Sequence, residues 1–135
     1  MNTLFNEIMT KRFSKDSLIS IATSVNNIPY CRTVDSFYID GSFYVITYAL
    51  SNKMRQISLN PLVAISGEWF TGHGKAVNLG FFGKKENEDI ARQLTDAFSS
   101  WINNGHNDFQ DENTIILEIK LTDGVVFSKG KRYEL

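Results

Sequence analysis

Residues 29–53 read PYCRTVDSFYIDGSFYVITYALSNK, and the centre of this stretch decides the fold. Asp40-Gly41 stands between two runs that are rich in Phe, Tyr, Val, Ile and Thr. An Asp-Gly pair favours a tight type I′ turn, because both of its residues tolerate a positive φ. The stretch therefore predicts a β-hairpin, with one strand over 29–39 and the next over 42–50.

Helices are predicted on both sides of this hairpin. Apolar residues at positions i, i+1, i+4 and i+5 predict a short amphipathic helix over 2–12. Helical spacing resumes directly after the hairpin and predicts a helix over 51–59, which Asn60-Pro61 ends. One long helix is expected over 84–102, where an apolar stripe recurs at helical spacing.

The rest of the chain is predicted to form strands and turns. Strands are expected over 17–25, 62–70, 76–82, 114–121 and 125–128. Asn26-Asn27 predicts a turn, Gly72-His73-Gly74 a loop, and Asp123-Gly124 a second Asp-Gly hairpin. Hairpin-linked strands interrupted by one long helix favour a mainly β (α+β) fold over a βαβ sheet. The fold class is therefore a six- to seven-stranded antiparallel barrel with one long and two short peripheral helices.

The composition limits the classes of function. With 135 residues, 42% of them hydrophobic, the chain is predicted to form one soluble domain over 1–135. Its 14 Lys and Arg against 15 Asp and Glu leave a net charge of −1, so nucleic acid is not an expected partner. No run of ~18 apolar residues and no charged-then-apolar leader is present, so neither membrane contact nor secretion is expected. A reducing, cytoplasmic location is the default expectation for a chain with one cysteine.

Several common chemistries find no support in the residues. The two histidines, His73 and His106, lie in separate predicted loops without a cysteine or carboxylate at ligand spacing, so no metal site is expected. Cys31 lies in the middle of a predicted strand, where a buried, inert thiol is expected. Gly74-Lys75 lacks the rest of a phosphate loop, and no glycine-rich dinucleotide motif follows a strand. No catalytic residue can be assigned.

A group of cations marks the start of the predicted helix over 51–59. Ser51 is a plausible N-cap, and Lys53 and Arg55 follow it directly. Cations are disfavoured at a helix N-terminus, where free amides already carry about half a positive charge. Their presence predicts a bound anion, such as a phosphoryl group, with Arg32 on the paired strand as a second cation. The alternative interpretation is that these cations are solvated surface charges.

The order and spacing of several short motifs resemble the pyridoxamine 5′-phosphate oxidase-like family of FMN-binding split barrels. The resemblance covers roughly residues 17–130. The motifs that carry it are Arg32-Thr33-Val34, Asp40-Gly41, the run over 43–47, Ser51-Asn52-Lys53, Gln56-Ile57, the run over 60–64, Gly80, the amphipathic helix and the run over 123–127.

The resemblance implies a single FMN-binding split-barrel domain whose cofactor lies at the interface of a homodimer. By the family's pattern the phosphate-binding residues are Arg32, Ser51 and Lys53. Backbone groups of Thr33 and Val34 are expected at the isoalloxazine edge. The further residues expected at the cofactor are Thr47 at the phosphate or ribityl oxygens, Asn52 and Gln56 as second choices, and His73 and Asn78, which a partner's 69–78 segment would bring to the site.

The resemblance also implies an FMN-dependent reductase or oxidase that acts on a small molecule, with NAD(P)H as a candidate electron donor. Vitamin B6 oxidases of the family are longer and end in a segment that contains Arg-Leu, whereas residues 130–135 read GKRYEL. Vitamin B6 oxidation is therefore not expected. Two alternatives stay open, namely a non-catalytic flavin-binding or stress-associated protein, and a split-barrel relative that uses haem or a deazaflavin.

Overall fold

A computed structural model of the chain describes residues 2–135 and contains three helices and seven strands. The helices are α1 (Thr3–Phe13), α2 (Asn52–Leu59) and α3 (Glu88–Ala97). The strands are β1 (Ser17–Val25), β2 (Ile28–Ile39), β3 (Ser42–Tyr48), β4 (Leu62–Gly67), β5 (Phe70–Phe81), β6 (Thr114–Ser128) and β7 (Lys131–Glu134).

All strands belong to one antiparallel sheet in the order β3-β2-β1-β4-β5-β6-β7. The sheet closes because β3 also pairs with β6, from Ser42↔Lys120 to Tyr48↔Thr114. Six strands therefore form a barrel, and β7 lies outside it as an added edge strand. This architecture confirms the predicted mainly β barrel with peripheral helices.

Two of the three predicted two-residue turns form as expected. Asp40 and Gly41 have φ values of 43° and 93°, and Asn26 and Asn27 have φ values of 52° and 63°. Positive φ at both central residues is the signature of a type I′ turn, whose twist matches that of the flanking strands. These turns fix the register of β1, β2 and β3.

The first helix closes one end of the barrel. Its N-cap is Asn2, whose Oδ1 accepts hydrogen bonds from the backbone N–H of Leu4 and Phe5. Its buried side chains, which include Phe13, pack on aromatic rings from the strands; Phe13 lies 5.6 Å from Phe43 and 6.0 Å from Phe70 between ring centroids. Each fully buried ring of this kind contributes about 1.5–3 kcal/mol. The helix predicted over 2–12 is confirmed.

The second helix covers the opposite end. Met54 and Ile57 are buried in the same core as α1, and Asn60 donates from Nδ2 to the carbonyl of Ser24 at 3.0 Å. Helix α2 thus begins and ends as the spacing and the Asn60-Pro61 pair predict.

The third helix packs outside the barrel and is shorter than predicted. Leu94 and Phe98 form a second core with Ile116 of β6 and Ile102. Instead of the single helix predicted over 84–102, the structure has a 3-10 turn over Lys85–Asn87, α3 over Glu88–Ala97, and turns after α3. Asn87 fixes the start, because its Nδ2 donates to the carbonyls of β5 residues. None of the helices within residues 2–135 is long and apolar enough to cross a membrane.

The predicted loop at Gly72-His73-Gly74 and the predicted turn at Asp123-Gly124 are wrong, because their glycines allow close packing between strands. Gly72 and Gly74 lie inside β5, and Asp123-Gly124 lies inside β6. A Cβ on Gly72 would come within 2.6 Å of the Asp123 carbonyl oxygen, so the strands need a residue without a side chain there. The strands expected over 62–70 and 76–82 become β4 and a longer β5, and those over 114–121 and 125–128 become one strand, β6. The real turns are at Glu68-Trp69 and Lys129-Gly130.

The substitution Gly72→Ala tests the packing role of this glycine. We expect it to lower the free energy of unfolding by about 1–3 kcal/mol, because the added methyl group has no space beside the Asp123 carbonyl. Guanidinium unfolding followed by far-UV circular dichroism measures the change. Thr71→Ala, at the exposed neighbouring position, is the matched control and should cost less than about 1 kcal/mol. Equal stability of the two variants would contradict the packing role.

Candidate functional site

The barrel is open where β2 and β3 separate. These strands pair only over Phe37–Ile39, opposite Tyr44, Phe43 and Ser42. From Ile28 to Ser36, β2 pairs with β1 alone. Within residues 2–135 no backbone hydrogen bond is formed along the other side of this segment. We call this the free edge of β2, over residues 29–35.

The hairpin registers show which backbone groups face the free edge. The residues that flank a two-residue turn exchange hydrogen bonds, so the backbone groups of Ile28 face β1 and those of Ile39 face β3. Because this direction alternates along a strand, the N–H and C=O groups of Cys31, Thr33 and Asp35 face the free edge. Those of Val34 face β1. Of the two residues predicted to present backbone groups, Thr33 is the one at the free edge.

Arg32 extends from the inner face of β2 and is held in place by three neutral oxygens. Its Nη1 donates to Thr23 Oγ1 at 3.0 Å and to the Ile21 carbonyl at 3.3 Å. Its Nη2 donates to Gln56 Oε1 at 2.6 Å, and Thr23 Oγ1 donates to the same oxygen at 2.7 Å. Burial lowers the pKa of Arg32 from its ordinary value. These bonds orient the guanidinium without neutralising its charge.

The start of α2 places a second cation beside the first. Ser51 is the N-cap, and its Oγ accepts a hydrogen bond from the Met54 N–H at 3.2 Å. Lys53 forms no hydrogen bond or ion pair with any residue from 2 to 135. Burial, and then the charge of Arg32, lowers the pKa of Lys53 to about 8. Two cations therefore share one half-buried place.

The carboxylate that lies nearest along β2 does not neutralise this pair. Asp35 lies on the outer face of the strand, whereas Arg32 lies on the inner face. Burial and a hydrogen bond with Asp16 raise the pKa of Asp35 to about 6. Asp16 also accepts a hydrogen bond from Trp101 Nε1 at 3.0 Å. The acidic groups of this region thus interact with each other on the far side of the strand.

Thr47 supplies a further polar group at the same end of the barrel. It lies near the end of β3, just before the turn into α2, and only 8% of its surface is exposed. Its hydroxyl has no hydrogen-bond partner in the part of the chain that the structure describes. Thr33 is exposed, and its hydroxyl lies 3.5 Å from that of Ser20 on the outer face.

The other predicted cofactor residues are divided. Gln56 is in contact with Arg32, so this second choice belongs to the cluster. Asn52 is exposed and accepts from Arg55 at 2.6 Å, and Asn78 accepts from the Gly80 N–H at 2.8 Å. Neither side chain forms a hydrogen bond with Arg32, Ser51 or Lys53. His73 is not in a loop but in β5, three strands from Cys31 along the register through Ala22 and Ala64.

The outer face of the sheet between Cys31 and His73 is lined by small side chains. Two adjoining cavities of about 430 and 400 Å³ share Ala22, Ala64 and His73. His73 Nδ1 lies 3.0 Å from Asp123 Oδ1, which also accepts from the His73 N–H at 3.1 Å. Cys31 is exposed on this face, so the expected buried thiol is wrong. The alternation of β2 places Arg32 inward and Cys31 outward.

Sequence reasoning missed two residues of this region. Thr23 is the last inward-facing residue of β1 that the core buries, and its register partner is Tyr30, two residues before Arg32. The available signal was a threonine in the alternating apolar pattern of β1. Asp123 was assigned to a turn, because Asp-Gly pairs usually mark turns. A break in the alternation of β5 and β6 at His73/Gly74 lets Asp123 reach the imidazole.

Comparison with solved structures shows which proteins share this architecture. No protein-family model matches the chain, and no curated protein is similar to it in sequence. General Stress Protein 26 from Bacillus anthracis matches with a TM-score of 0.71 and 17% identity, over 97% of this chain and 98% of that one. A pyridoxamine 5′-phosphate oxidase-related, FMN binding protein from Nostoc punctiforme matches with a TM-score of 0.57 and 14% identity, over 87% and 78%.

A haem binding protein from Mycobacterium smegmatis also matches, with a TM-score of 0.69 and 14% identity, over 100% of this chain and 58% of that one. At these identities the likeness establishes the fold. It confirms the split barrel that the sequence resemblance predicts.

The buried charge of Lys53 predicts a pH-dependent stability. Because the folded state lowers the pKa of Lys53 to about 8, the unfolded chain binds more protons above that pH, and stability should rise with pH. We expect Lys53→Met to be more stable than the wild type at pH 7 by about 1 kcal/mol in phosphate-free buffer. The difference should shrink as the pH rises from 8 towards 10. A pH-independent difference in urea unfolding would contradict an uncompensated lysine.

Proposed function

We propose that this chain is a flavin-binding protein of the pyridoxamine 5′-phosphate oxidase-like type and that Arg32, Ser51 and Lys53 hold the phosphate of FMN. One observation carries the proposal. Two half-buried cations lie together without a carboxylate partner, directly beside an unpaired strand edge. Like charges in contact cost free energy, and a dianionic phosphate group removes that cost.

The donors around the cations suit a phosphate group. Helix α2 presents unpaired first-turn amides and the positive end of its dipole. The Ser51 hydroxyl caps one of those amides, and Lys53 and Arg32 each have N–H donors that no side chain of residues 2–135 uses. The Thr47 hydroxyl adds a neutral donor. Charge-assisted hydrogen bonds of this kind are about twice as strong as neutral ones.

The free edge of β2 suits the ring system. Cys31 and Thr33 offer backbone N–H donors and C=O acceptors in alternation. A flavin carries both acceptors and an N–H along the polar edge of its ring, so such an edge can pair with it as a strand would. Pro29 lies on the same edge and presents only a carbonyl acceptor there, because it has no N–H group.

Flavin itself carries out the hydride or electron transfer, and the protein supplies binding, orientation and electrostatics. The absence of a catalytic triad therefore does not argue against an enzyme. Arg32 is fixed by Thr23 and Gln56, so it orients the phosphate and hence the ring. We propose an FMN-dependent oxidoreductase of a small-molecule substrate, with NAD(P)H as electron donor, in the cytoplasm.

A homodimer completes this proposal. The outer face of β1, β4 and β5 carries small side chains, among them Ala22, Ala64 and Ser66, around two broad cavities. A second copy on this face would cover the exposed Cys31 and bring its own His73 towards the cofactor. Leu18 and Leu62 are exposed on the same side and would be buried in the contact.

Haem is the second candidate cofactor, and His73 is the observation that favours it. Histidine ligands of metals commonly donate their other ring N–H to a carboxylate, and Asp123 accepts from Nδ1 of His73. Nε2 then stays free above a face of small side chains. A Soret band on addition of haemin that is lost in His73→Ala would support haem and not flavin.

Removal of the two cations tests the flavin site. We expect the wild type to bind FMN with quenching of flavin fluorescence, and Arg32→Ala and Lys53→Ala each to weaken binding about 10- to 100-fold, because each loses a charged contact with phosphate. Arg55, the third cation of the group predicted from the sequence, is exposed and pairs with Asn52 instead of joining Arg32 and Lys53. Arg55→Ala is therefore the matched control on the same helix and should keep the wild-type affinity. Riboflavin, which lacks the phosphate, should bind all these proteins equally weakly.

Three outcomes would contradict the flavin site. The wild type could ignore added FMN, the two alanine variants could bind as tightly as the wild type, or riboflavin could bind as tightly as FMN. Light scattering of the FMN-loaded protein should show twice the chain mass of 15.3 kDa. A monomer that binds FMN tightly would contradict a shared site.

Reduction of the bound flavin separates an enzyme from a carrier. We expect NADH or NADPH to bleach the flavin absorbance of the loaded protein without oxygen, and air to restore the colour. The chemistry belongs to the flavin, so the Arg55→Ala control should react at the wild-type rate. Bound flavin that stays oxidised with both donors over hours would favour a non-catalytic, stress-associated role.

A further inference from the structure

The tips of two hairpins form a separate exposed site. The turn Glu68-Trp69 joins β4 to β5, and the turn Lys129-Gly130 joins β6 to β7. Together with Arg12 of α1 they enclose a cavity of about 310 Å³, which we call the hairpin-tip site. Its lining residues are Arg12, Trp69, Phe127, Ser128, Lys129 and Gly130.

Trp69 is unfavourable for the stability of the unliganded protein in two ways. Its φ is 53°, a left-handed conformation that favours glycine or asparagine at this position of a turn. Its side chain is also 71% exposed, so the large ring gains little from burial. Residues kept in a strained conformation cluster at functional sites, where the surroundings fix them. The strain and the exposure together indicate a ligand for the ring.

Hydrogen bonds fix the backbone of the turn that carries Trp69. The Phe127 N–H donates to the Trp69 carbonyl at 2.9 Å. Arg12 joins both hairpins, because its Nη1 donates to the Glu68 carbonyl at 3.0 Å and its Nη2 to the Phe127 carbonyl at 2.9 Å. Phe127 is itself 42% exposed. The backbone that carries these two aromatic side chains is therefore fixed beside the cavity, which lowers the entropic cost of binding.

The charge of the lining selects the class of ligand. Arg12 and Lys129 are the charged residues among those that line the cavity, and both are cations. An isologous contact with a second copy would bring these cations against their own copies, which disfavours self-association through this site. An anionic ligand with a flat ring suits both the exposed Trp69 ring and the two cations. Its ring can stack on Trp69, and its phosphate oxygens can accept hydrogen bonds from the cations.

We infer that the hairpin-tip site binds a phosphorylated heteroaromatic compound of the nucleotide class, through a ring stacked on Trp69 and phosphate at Lys129 and Arg12. The inference goes beyond the proposed flavin function and does not rest on it. The two sites are separate in the fold, because Arg32 and Lys53 lie at the opposite end of the barrel from Arg12 and α1.

Titration with ATP, followed by tryptophan fluorescence and calorimetry, tests this inference. The protein is the Arg32→Ala/Lys53→Ala variant, so that phosphate binding at α2 cannot contribute. If that variant does not fold, calorimetry compares ATP binding by the wild type with that by Trp69→Gly, because only the hairpin-tip site differs between these two proteins. We expect saturable binding of one ATP per chain with quenched emission, and weaker binding of adenosine and of inorganic phosphate.

Variants distinguish a binding role from a structural one. Trp69→Gly relieves the positive φ, so the melting temperature should stay or rise while ATP binding weakens about tenfold or more. Lys129→Gln should weaken ATP binding several-fold and leave adenosine binding unchanged. Lys85→Gln removes an exposed lysine elsewhere and should change neither.

Four results would overturn the inference. They are the lack of saturable ATP binding, unchanged affinity in Trp69→Gly, Trp69 emission that shifts with protein concentration alone, and a shift that occurs only with anionic phosphatidylserine vesicles. The third would indicate a second copy on the site, and the fourth a membrane surface. A negative result for ATP leaves the flavin test unaffected, because that test measures the effect of Arg32→Ala and Lys53→Ala on FMN binding.

Discussion

The separation of β2 from β3 is the constraint on which the rest of the structure depends. The Asp40-Gly41 turn starts the two strands together, but they share only the pairs from Ile39↔Ser42 to Phe37↔Tyr44. Beyond this point β2 follows β1, whereas β3 crosses to β6 and closes the barrel. The divergence leaves backbone donors and acceptors unpaired along 29–35, which a folded protein tolerates only where solvent or a ligand satisfies them.

The same divergence explains why two cations lie together without an acid. Helix α2 fills the end of the barrel that β3 leaves, and its first turn brings Lys53 to Arg32. Thr23 and Gln56 satisfy the guanidinium with neutral oxygens and keep its charge available. A protein selected for stability alone would place a carboxylate here, because breaking up like charges gains free energy. The retained repulsion is a cost that the proposed phosphate ligand would remove.

Local signals in the sequence were enough for the turns at Asn26-Asn27 and Asp40-Gly41, the helix α2 and the Arg32-Ser51-Lys53 cluster. Those elements depend on neighbours in the chain, such as Asp-Gly turns and an N-cap serine. The predictions at Gly72-His73-Gly74 and Asp123-Gly124 were wrong because these glycines are needed where neighbouring strands and side chains approach closely. Sequence spacing does not show such contacts. The free edge of β2 and the His73–Asp123 contact were equally out of reach, since both depend on strand register. The resemblance to flavin-binding split barrels supplied the identity of the proposed cofactor, which the residues alone did not.

The pKa of Lys53 distinguishes a phosphate-binding cluster from a pair of solvated cations. Its ε-ammonium group can be followed by NMR in the Arg55→Ala background, with and without FMN. We predict a pKa of about 8 in the free protein and a value above that of a solvated lysine once FMN is bound, because the phosphate places an attractive anion beside the two repelling cations. A pKa that is the same in both states would contradict this prediction, whatever the affinity for FMN.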